Sequence, residues 1–462
     1  MLRFSRLACA LIIVCTVFQT VFQPALESAD AADPTLQKYV NRQDDNYQWT
    51  ERRRGEIGAT EYVELTLTSQ KWQDVVWQHQ LFVIRPKNID KKSQQAVLVI
   101  GGGAWSASRA AKDNPEAIPS AAKSFAFAAE QLQTTVAVLL QVPHQPIFDG
   151  KYEDAAIAHT FSEFLKGGTS DWPLLLPMTK SAVKAMDAVQ EFSSKEWNLK
   201  IKGFTVTGAS KRGWTTWLTG AVDPRVTGIA PMVIDMLNME AHLEHQKKSW
   251  GKLSRMIDDY TEQGLDKHLG TPRGKQLQQI VDPFNYREQL KQPKLIIIGT
   301  NDDYWPLDSL NIYWNELLGP KYILYVPNNR HGLTDFPRLI GSIKAFNDSV
   351  GQNKTLPKLT WNFDHNGEAS TMSVTSDIAP QKVRAWITTS KTRDFRDSKW
   401  ISVDAKSDGN GSHQYRLRAP KEGYAAIFGE AVYAQDPIPY YLSTTVHIRD
   451  ADKKTGYDKT AK

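Results

Sequence analysis

Cysteine is nearly missing from this chain of 462 residues; the two present are Cys9 and Cys15. Neither a disulfide framework nor a cysteine-built zinc site can be made from them. A dominant charge is missing as well. The 56 basic and 51 acidic residues leave a formal net charge of +5, too small an excess over this length to favour nucleic acid as a partner. Internal repeats and low-complexity tracts are absent, and the apolar run near the start is too short to span a bilayer comfortably. What is present is ordinary for a folded chain. Hydrophobic residues make up 41% and charged residues 23%, enough for a sizeable core in two or three domains.

The first 31 residues read as a secretory signal peptide. Arg3 and Arg6 precede the apolar stretch Leu7–Phe18, and Ala29-Asp30-Ala31 offers an A-x-A cleavage site. Both cysteines fall inside the removed segment, and neither follows the small residues that a lipoprotein site needs. The expected product is secreted or periplasmic, with no membrane span.

Residues 32–58 are polar and charged and read as a loosely packed lead-in. Two strand-like runs follow, at 61–68 and 75–84. Then come continuous apolar runs at 96–100, 135–140, 204–207, 229–234, 295–298 and 322–326. Runs without alternation suit strands buried on both faces. Helix-period segments separate them, at 120–132 and 178–192, and residues 239–280 form a longer polar and aromatic insert. Buried strands alternating with helices predict a mainly parallel sheet covered on both faces, with the first pair of strands at one edge. The expected domains are an α/β unit over 32–356, with the insert as part of a lid, and a β-sandwich of short, turn-punctuated strands over 357–450. Residues 451–462 would be a flexible tail.

The strongest chemical signal is Gly208-Ala209-Ser210-Lys211-Arg212-Gly213, between a strand and a helix. A serine on such a tight turn, two residues after a glycine, reads as a nucleophile elbow, although G-x-S-x-G is broken by Arg212 at its fifth position. A plain helix N-cap serine is the rival reading. A nucleophilic serine needs a base, and the base needs an orienting acid, here in the chain order Ser, acid, His. Asp302 follows the strand 295–298 and is the first choice of acid, with Asp235 and Asp303 as alternatives. His331 follows the strand 322–326 and is the candidate base. The run Gly101-Gly102-Gly103-Ala104 follows the first buried strand and can present backbone N–H groups to an oxyanion. The expected donors are Lys211 together with Gly102, Gly103 or Ala104. A phosphate loop is the rival reading there, a weak one, since neither G-K-[ST] nor G-x-G-x-x-G is present. Trp105, Trp214, Trp217 and Trp305 neighbour these segments, and Trp105, Trp214 and Trp305 are the candidate pocket residues. A carboxylate pocket at Glu153 and Asp154 competes with a simple surface helix. His242-Leu243-Glu244-His245 is neither H-E-x-x-H nor H-x-x-E-H, so no metal is expected, and no cofactor is implied.

Several blocks resemble the PhoPQ-activated pathogenicity-related protein family. They are Ser210 to Trp217, Asp223 to Val226, Pro231 to Asn238, Glu153 to Ala158, and Pro177-Met178 through Ala185 to Asp187. The resemblance implies a secreted α/β-hydrolase fold and supports the Ser210 site, but names no substrate. The elbow is also similar to the G-C-S-R-x-G of glucuronoyl esterases, a likeness that would let Lys211 bring charge to the oxyanion. The expectation is a secreted serine hydrolase using Ser210, Asp302 and His331 on ester or peptide bonds of a small-molecule, peptide or carbohydrate substrate. A carbohydrate esterase and a non-catalytic secreted signalling or binding protein on a hydrolase scaffold are the alternatives.

Overall fold

The computed structural model describes residues 33–90, 92–110, 120–352, 354–366 and 369–451, and residues 33–451 belong to one compact unit. The expected signal peptide over 1–31 and the tail beyond Ala451 lie outside the described residues.

The lead-in is more ordered than its composition suggests. Helix α1 (Thr35–Asn41) buries Leu36, Tyr39 and Val40 in the core, and β1 (Gln48–Ile57) is an edge strand. A bulge between Glu51 and Arg53 interrupts its pairing with β2 (Thr60–Trp72). The extra residue lets two successive arginines reach one partner, instead of pointing to opposite faces. Arg52 Nη1 and Arg53 Nε both donate to the buried carboxylate of Glu64, at 2.6 and 2.5 Å.

After β3 (Val75–Pro86) come six strands that pair in parallel. They are β4 (Gln95–Ile100), β5 (Thr135–Leu139), β6 (Gly203–Ala209), β7 (Val226–Met232), β8 (Lys294–Gly299) and β9 (Lys321–Val326). Their order is β1-β2-β3-β5-β4-β6-β7-β8-β9, with β1 to β3 antiparallel at the edge. These six correspond to the six uninterrupted apolar runs. Each is buried from both sides, and alternate residues divide between the two layers. Leu81, Val83, Leu98 and Ala137 join the core under α4 (Leu175–Trp197) and α5 (Lys211–Val222). Their neighbours Phe82, Ile84, Val97 and Val138 pack with Ala126 and Ala129 of α2 (Ser120–Leu132). Helix α3 (Glu153–Leu165) lies between β5 and α4 in sequence. The insert between β7 and β8 is helical: α6 (Met239–Trp250), α7 (Asp258–Thr261), α8 (Leu265–His268) and α9 (Pro272–Val281). Helix α10 (Phe336–Gly351) follows β9 and packs Phe346 against Ala230, Leu295 and Ile297.

Beyond α10, the described residues form strands only: β10 (Leu359–Asn366), β11 (Ala369–Ser376), β12 (Lys382–Ser390), β13 (Ile401–Asp404), β14 (Lys406–Ser407), β15 (Ser412–Arg418), β16 (Tyr424–Tyr433), β17 (Tyr440–Ser443) and β18 (His447–Asp450). One sheet has the order β10-β11-β15-β14. The other strands do not make a second free sheet. They continue the central one as β9-β17-β16-β12-β13, with β18 on β16. The sheet is therefore parallel in its middle and antiparallel in both wings. Met372, Val374 and Leu417 of the smaller sheet pack on Val383, Ala385 and Ile427 of the wing. The two layers meet closely at Gly429, where a Cβ would lie 2.8 Å from Val374 Cγ2. Among the described residues no helix is long and apolar enough to cross a membrane.

Candidate active site

Ser210 sits at the junction of β6 and α5 with φ 58° and ψ −125°. A non-glycine residue there is strained, by about 1–3 kcal/mol, and needs its surroundings to hold it. Ser210 N–H donates to Met232 O at 2.9 Å, and Ser210 O accepts from Trp214 N–H at 2.9 Å. Two glycines make room for the turn. A Cβ on Gly208 would lie 2.7 Å from Arg212 O, and one on Gly213 would lie 2.8 Å from Met232 O. The glycine missing from the fifth position of the motif is thus supplied one residue later. The side chain of Ser210 makes no capping hydrogen bond to α5, unlike an N-cap serine, whose oxygen accepts from the first turn.

Two loops at the carboxyl ends of β8 and β9 approach so closely that a Cβ on Gly299 would meet Arg330 O and Asn329 O at 2.6 Å. Asn301 N–H donates to Asn329 O at 2.9 Å and stitches the loops together. They bring Asp302 and His331 together. The imidazole Nδ1 lies 2.9 Å from Asp302 Oδ2 and 3.1 Å from Oδ1. A carboxylate only accepts, so Nδ1 carries a proton, and in the neutral ring Nε2 keeps its lone pair. Asp302 is itself fixed by Tyr304 N–H at 2.8 Å. Nε2 of His331 is buried and has no hydrogen-bond partner among the described residues, and the imidazole lies under the Tyr304 ring, with centroids 4.1 Å apart.

The other two acids face elsewhere. Asp303 pairs with Arg330 at the surface. Asp235 is fully buried and accepts from Tyr313 OH at 2.7 Å; burial pushes its carboxyl up to about 8.

The glycine loop is tied down by Gly101 N–H to Leu139 O at 2.7 Å and by Gln141 N–H to Gly102 O at 2.9 Å. Trp105 N–H is taken by Gln145 O, whereas the N–H groups of Gly102, Gly103 and Ala104 donate to no described protein group. The first-turn N–H of Lys211 has no acceptor within its helix.

The basic pair after the serine and the acidic pair at the start of α3 are matched to each other. Arg212 reaches Glu153 with two parallel bonds of 2.6 and 2.7 Å, and its Nε donates to Val142 O. The guanidinium lies directly beneath Gly102, where a Cβ would be only 2.5 Å from Nη2. Burial alone would raise the Glu153 carboxyl, but the Arg212 bonds and charge bring it down to about 2. Lys211 Nζ donates to Asp154 Oδ2 at 2.8 Å, and Tyr260 OH donates to Asp154 Oδ1 at 2.9 Å. Lys211 is therefore a half-buried ion-pair partner and not a solvated helix-start residue. The expected surface helix at Glu153 and Asp154 is corrected as well: both carboxylates are held beside the serine. Sequence reasoning passed over these contacts, since two adjacent pairs of opposite sign so far apart in the chain do not by themselves show that they meet.

Ser210 and Lys211 border an open pocket of about 90 Å³. Asp154, Tyr304, Trp214, Trp305 and residues of α6 to α9 line it. Of the tryptophans singled out in the sequence, Trp214 and Trp305 lie on this wall. Trp105 packs near His144, at 5.8 Å between centroids, and Trp217 is buried in the core. His245 pairs with Asp308 at 2.8 Å, while His242 packs edge-on to Trp305.

The exchange of β4 and β5 in the strand order, a serine after β6, an acid after β8 and a histidine after β9 are the features of an α/β-hydrolase fold. A sequence profile of the PhoPQ-activated pathogenicity-related protein family matches residues 36–396, and the chain belongs to that family. Autocrine proliferation repressor protein A of Dictyostelium discoideum is 34% identical over 433 residues, 86% of this chain and 85% of that protein. Acetyl esterase Axe7A of Xylanibacter ruminicola is 26% identical over 154 residues, 33% of this chain and 32% of that protein. Among solved structures, an acetyl xylan esterase from Paenibacillus sp. R4 aligns with a TM-score of 0.45 at 13% identity, covering 68% of this chain and 92% of its own.

Proposed function

We propose that the protein is an exported serine hydrolase acting on ester bonds. Ser210 Oγ attacks the acyl carbonyl. His331 Nε2 takes its proton and returns it to the leaving group, and Asp302 holds the tautomer through Nδ1. The N–H groups of Lys211 and of the Gly102–Ala104 loop receive the oxyanion. The observation that carries this reading is the strained serine, its hydroxyl uncommitted among the described residues, on a pocket also lined by Tyr304, whose ring packs on the His331 imidazole held by Asp302. An ester is favoured over a peptide bond by the partial likeness to an acetyl esterase.

A fluorophosphonate probe tests the proposal. The wild type labels, and Ser210→Ala and His331→Ala do not. Absence of wild-type labelling, or equal labelling of Ser210→Ala, would leave the alternative of a non-catalytic signalling protein, the role suggested by the name of the Dictyostelium relative. Export rests on residues 1–31. Amino-terminal sequencing of protein collected outside the cytoplasm should begin at Ala32.

A further inference from the structure

The pocket beside Ser210 has walls of one character and a few polar atoms that serve nothing in the protein. Phe161 and Trp214 meet edge to face, with centroids 5.9 Å apart, and Ile234, Leu265, Leu269 and Leu277 complete an apolar lining. The two charges at the serine end neutralise each other, since Lys211 Nζ and Asp154 Oδ2 are 2.8 Å apart. Three buried atoms or groups on this lining have no hydrogen-bond partner among the described residues: both ring nitrogens of His242, the indole Nε1 of Trp305 and Oδ1 of Asp266. Burial holds His242 down to about 3, so its ring is neutral and offers one donor and one acceptor. A buried polar atom without a partner is costly, and a guest that supplies the partner recovers that cost on binding.

We infer that this pocket receives a large uncharged apolar group of the ester substrate, aromatic or branched, that carries a hydroxyl for the corner made by His242 and Trp305, whose rings lie 5.1 Å apart. This deepens the hydrolase reading and rests on it. An acetyl group would leave the walls wet and the His242–Trp305 corner unserved. A uronate would lose its hydration among apolar side chains and meet the carboxylates of Asp154 and Asp266.

Two ester series test the inference. In one, the acyl group grows from acetyl through butanoyl to phenylpropanoyl and hydroxyphenylpropanoyl on a fixed alcohol. In the other, the alcohol grows in the same way on a fixed acetyl. In one of the two arms kcat/KM should climb by at least about tenfold, at up to about fourfold per buried methylene. The hydroxylated ring should exceed the plain ring several-fold, and His242→Phe should abolish that margin. Leu269→Trp, which fills the pocket, should lower the ratio of large to small ester rates. Thr261→Trp at the rim serves if that variant does not fold. Flat series in both arms, or a preference for acetyl in both, overturn the inference, and equal rates for plain and hydroxylated rings overturn its polar half. The outcome is separable from that of the hydrolase reading. Calorimetry of hydroxyphenylpropanamide with Ser210→Ala needs no turnover and should show submillimolar binding that Leu269→Trp weakens. Absence of binding there overturns the inference even where Ser210 labels normally.

Discussion

Asp302 and Asp235 are both buried carboxylates near the same strand ends, but they face different partners. Asp302 meets an imidazole and Asp235 meets a phenol. Asp302→Asn should therefore free His331 to adopt the wrong tautomer and lower kcat about 10⁴-fold, whereas Asp235→Asn should leave turnover within about threefold. Steady-state rates on one reactive ester distinguish them. Asp235 instead governs stability. Its folded carboxyl titrates at about 8, far above a free aspartate. The folded state keeps this proton while the unfolded state loses it, so stability falls as pH rises from about 4 to about 8. Asp235→Asn retains the Tyr313 bond and removes this slope. Urea unfolding should find it stabilised relative to wild type by at least about 1 kcal/mol more at pH 8 than at pH 5. At this scale the sequence was legible where a residue's position follows from a strand end: Ser210 lies on the strained turn after β6, and Asp302 and His331 meet after β8 and β9. It was not legible where the role depends on a partner far along the chain. Glu153 and Asp154 are 59 and 57 positions from Arg212 and Lys211, and nothing local to either pair distinguishes them from solvated charges.

At the level of elements, α3 and α5 are joined by the Arg212–Glu153 fork, and the glycine loop after β4 rests on it. Arg212→Ala leaves the half-exposed Glu153 with only Lys211 and Gln145 as partners, a loss of about 1–3 kcal/mol in chemical denaturation. Adding Glu153→Ala should recover part of that loss, so the double-mutant cycle should show a clear coupling. Gly213→Ala should be damaging without touching any charge, because its new methyl meets backbone at Met232 and Gly208. Loss of about 1–3 kcal/mol is expected, together with weaker fluorophosphonate labelling. The six central strands could be read because burial on both faces leaves an unbroken apolar signature. Strand β1 could not be, since its exposed side is polar and its order comes from pairing with β2 and from the bulge that turns Arg52 and Arg53 onto Glu64.

Over the whole molecule, the C-terminal strands support the candidate site in addition to extending the sheet. Asn301, next to Asp302, donates to the carbonyls of Arg396 and Ser398 at 3.1 and 2.7 Å. Asn328 exchanges two hydrogen bonds with the backbone of Trp400, at 3.1 and 2.8 Å. Removal of residues 357–462 should therefore yield little soluble protein and no probe labelling, measured by soluble fraction and far-ultraviolet dichroism; a folded, labelling fragment would contradict this. The short strands of this region were readable, but their attachment to the central sheet was not, because its ladder has one residue pair, Ser443 and Ile323, and the rest is side-chain packing and loop hydrogen bonds between distant residues. Ser443 Oγ adds a single bond from Tyr325 N–H at 3.0 Å. The backbone ladder at this seam is short although side chains from both sides share one core. Under mild denaturant the line between β9 and β17 should part first, and backbone amides along it should take up deuterium well before those buried between β6 and β8. The histidine loop would then lose its brace while the nucleophile turn stayed folded.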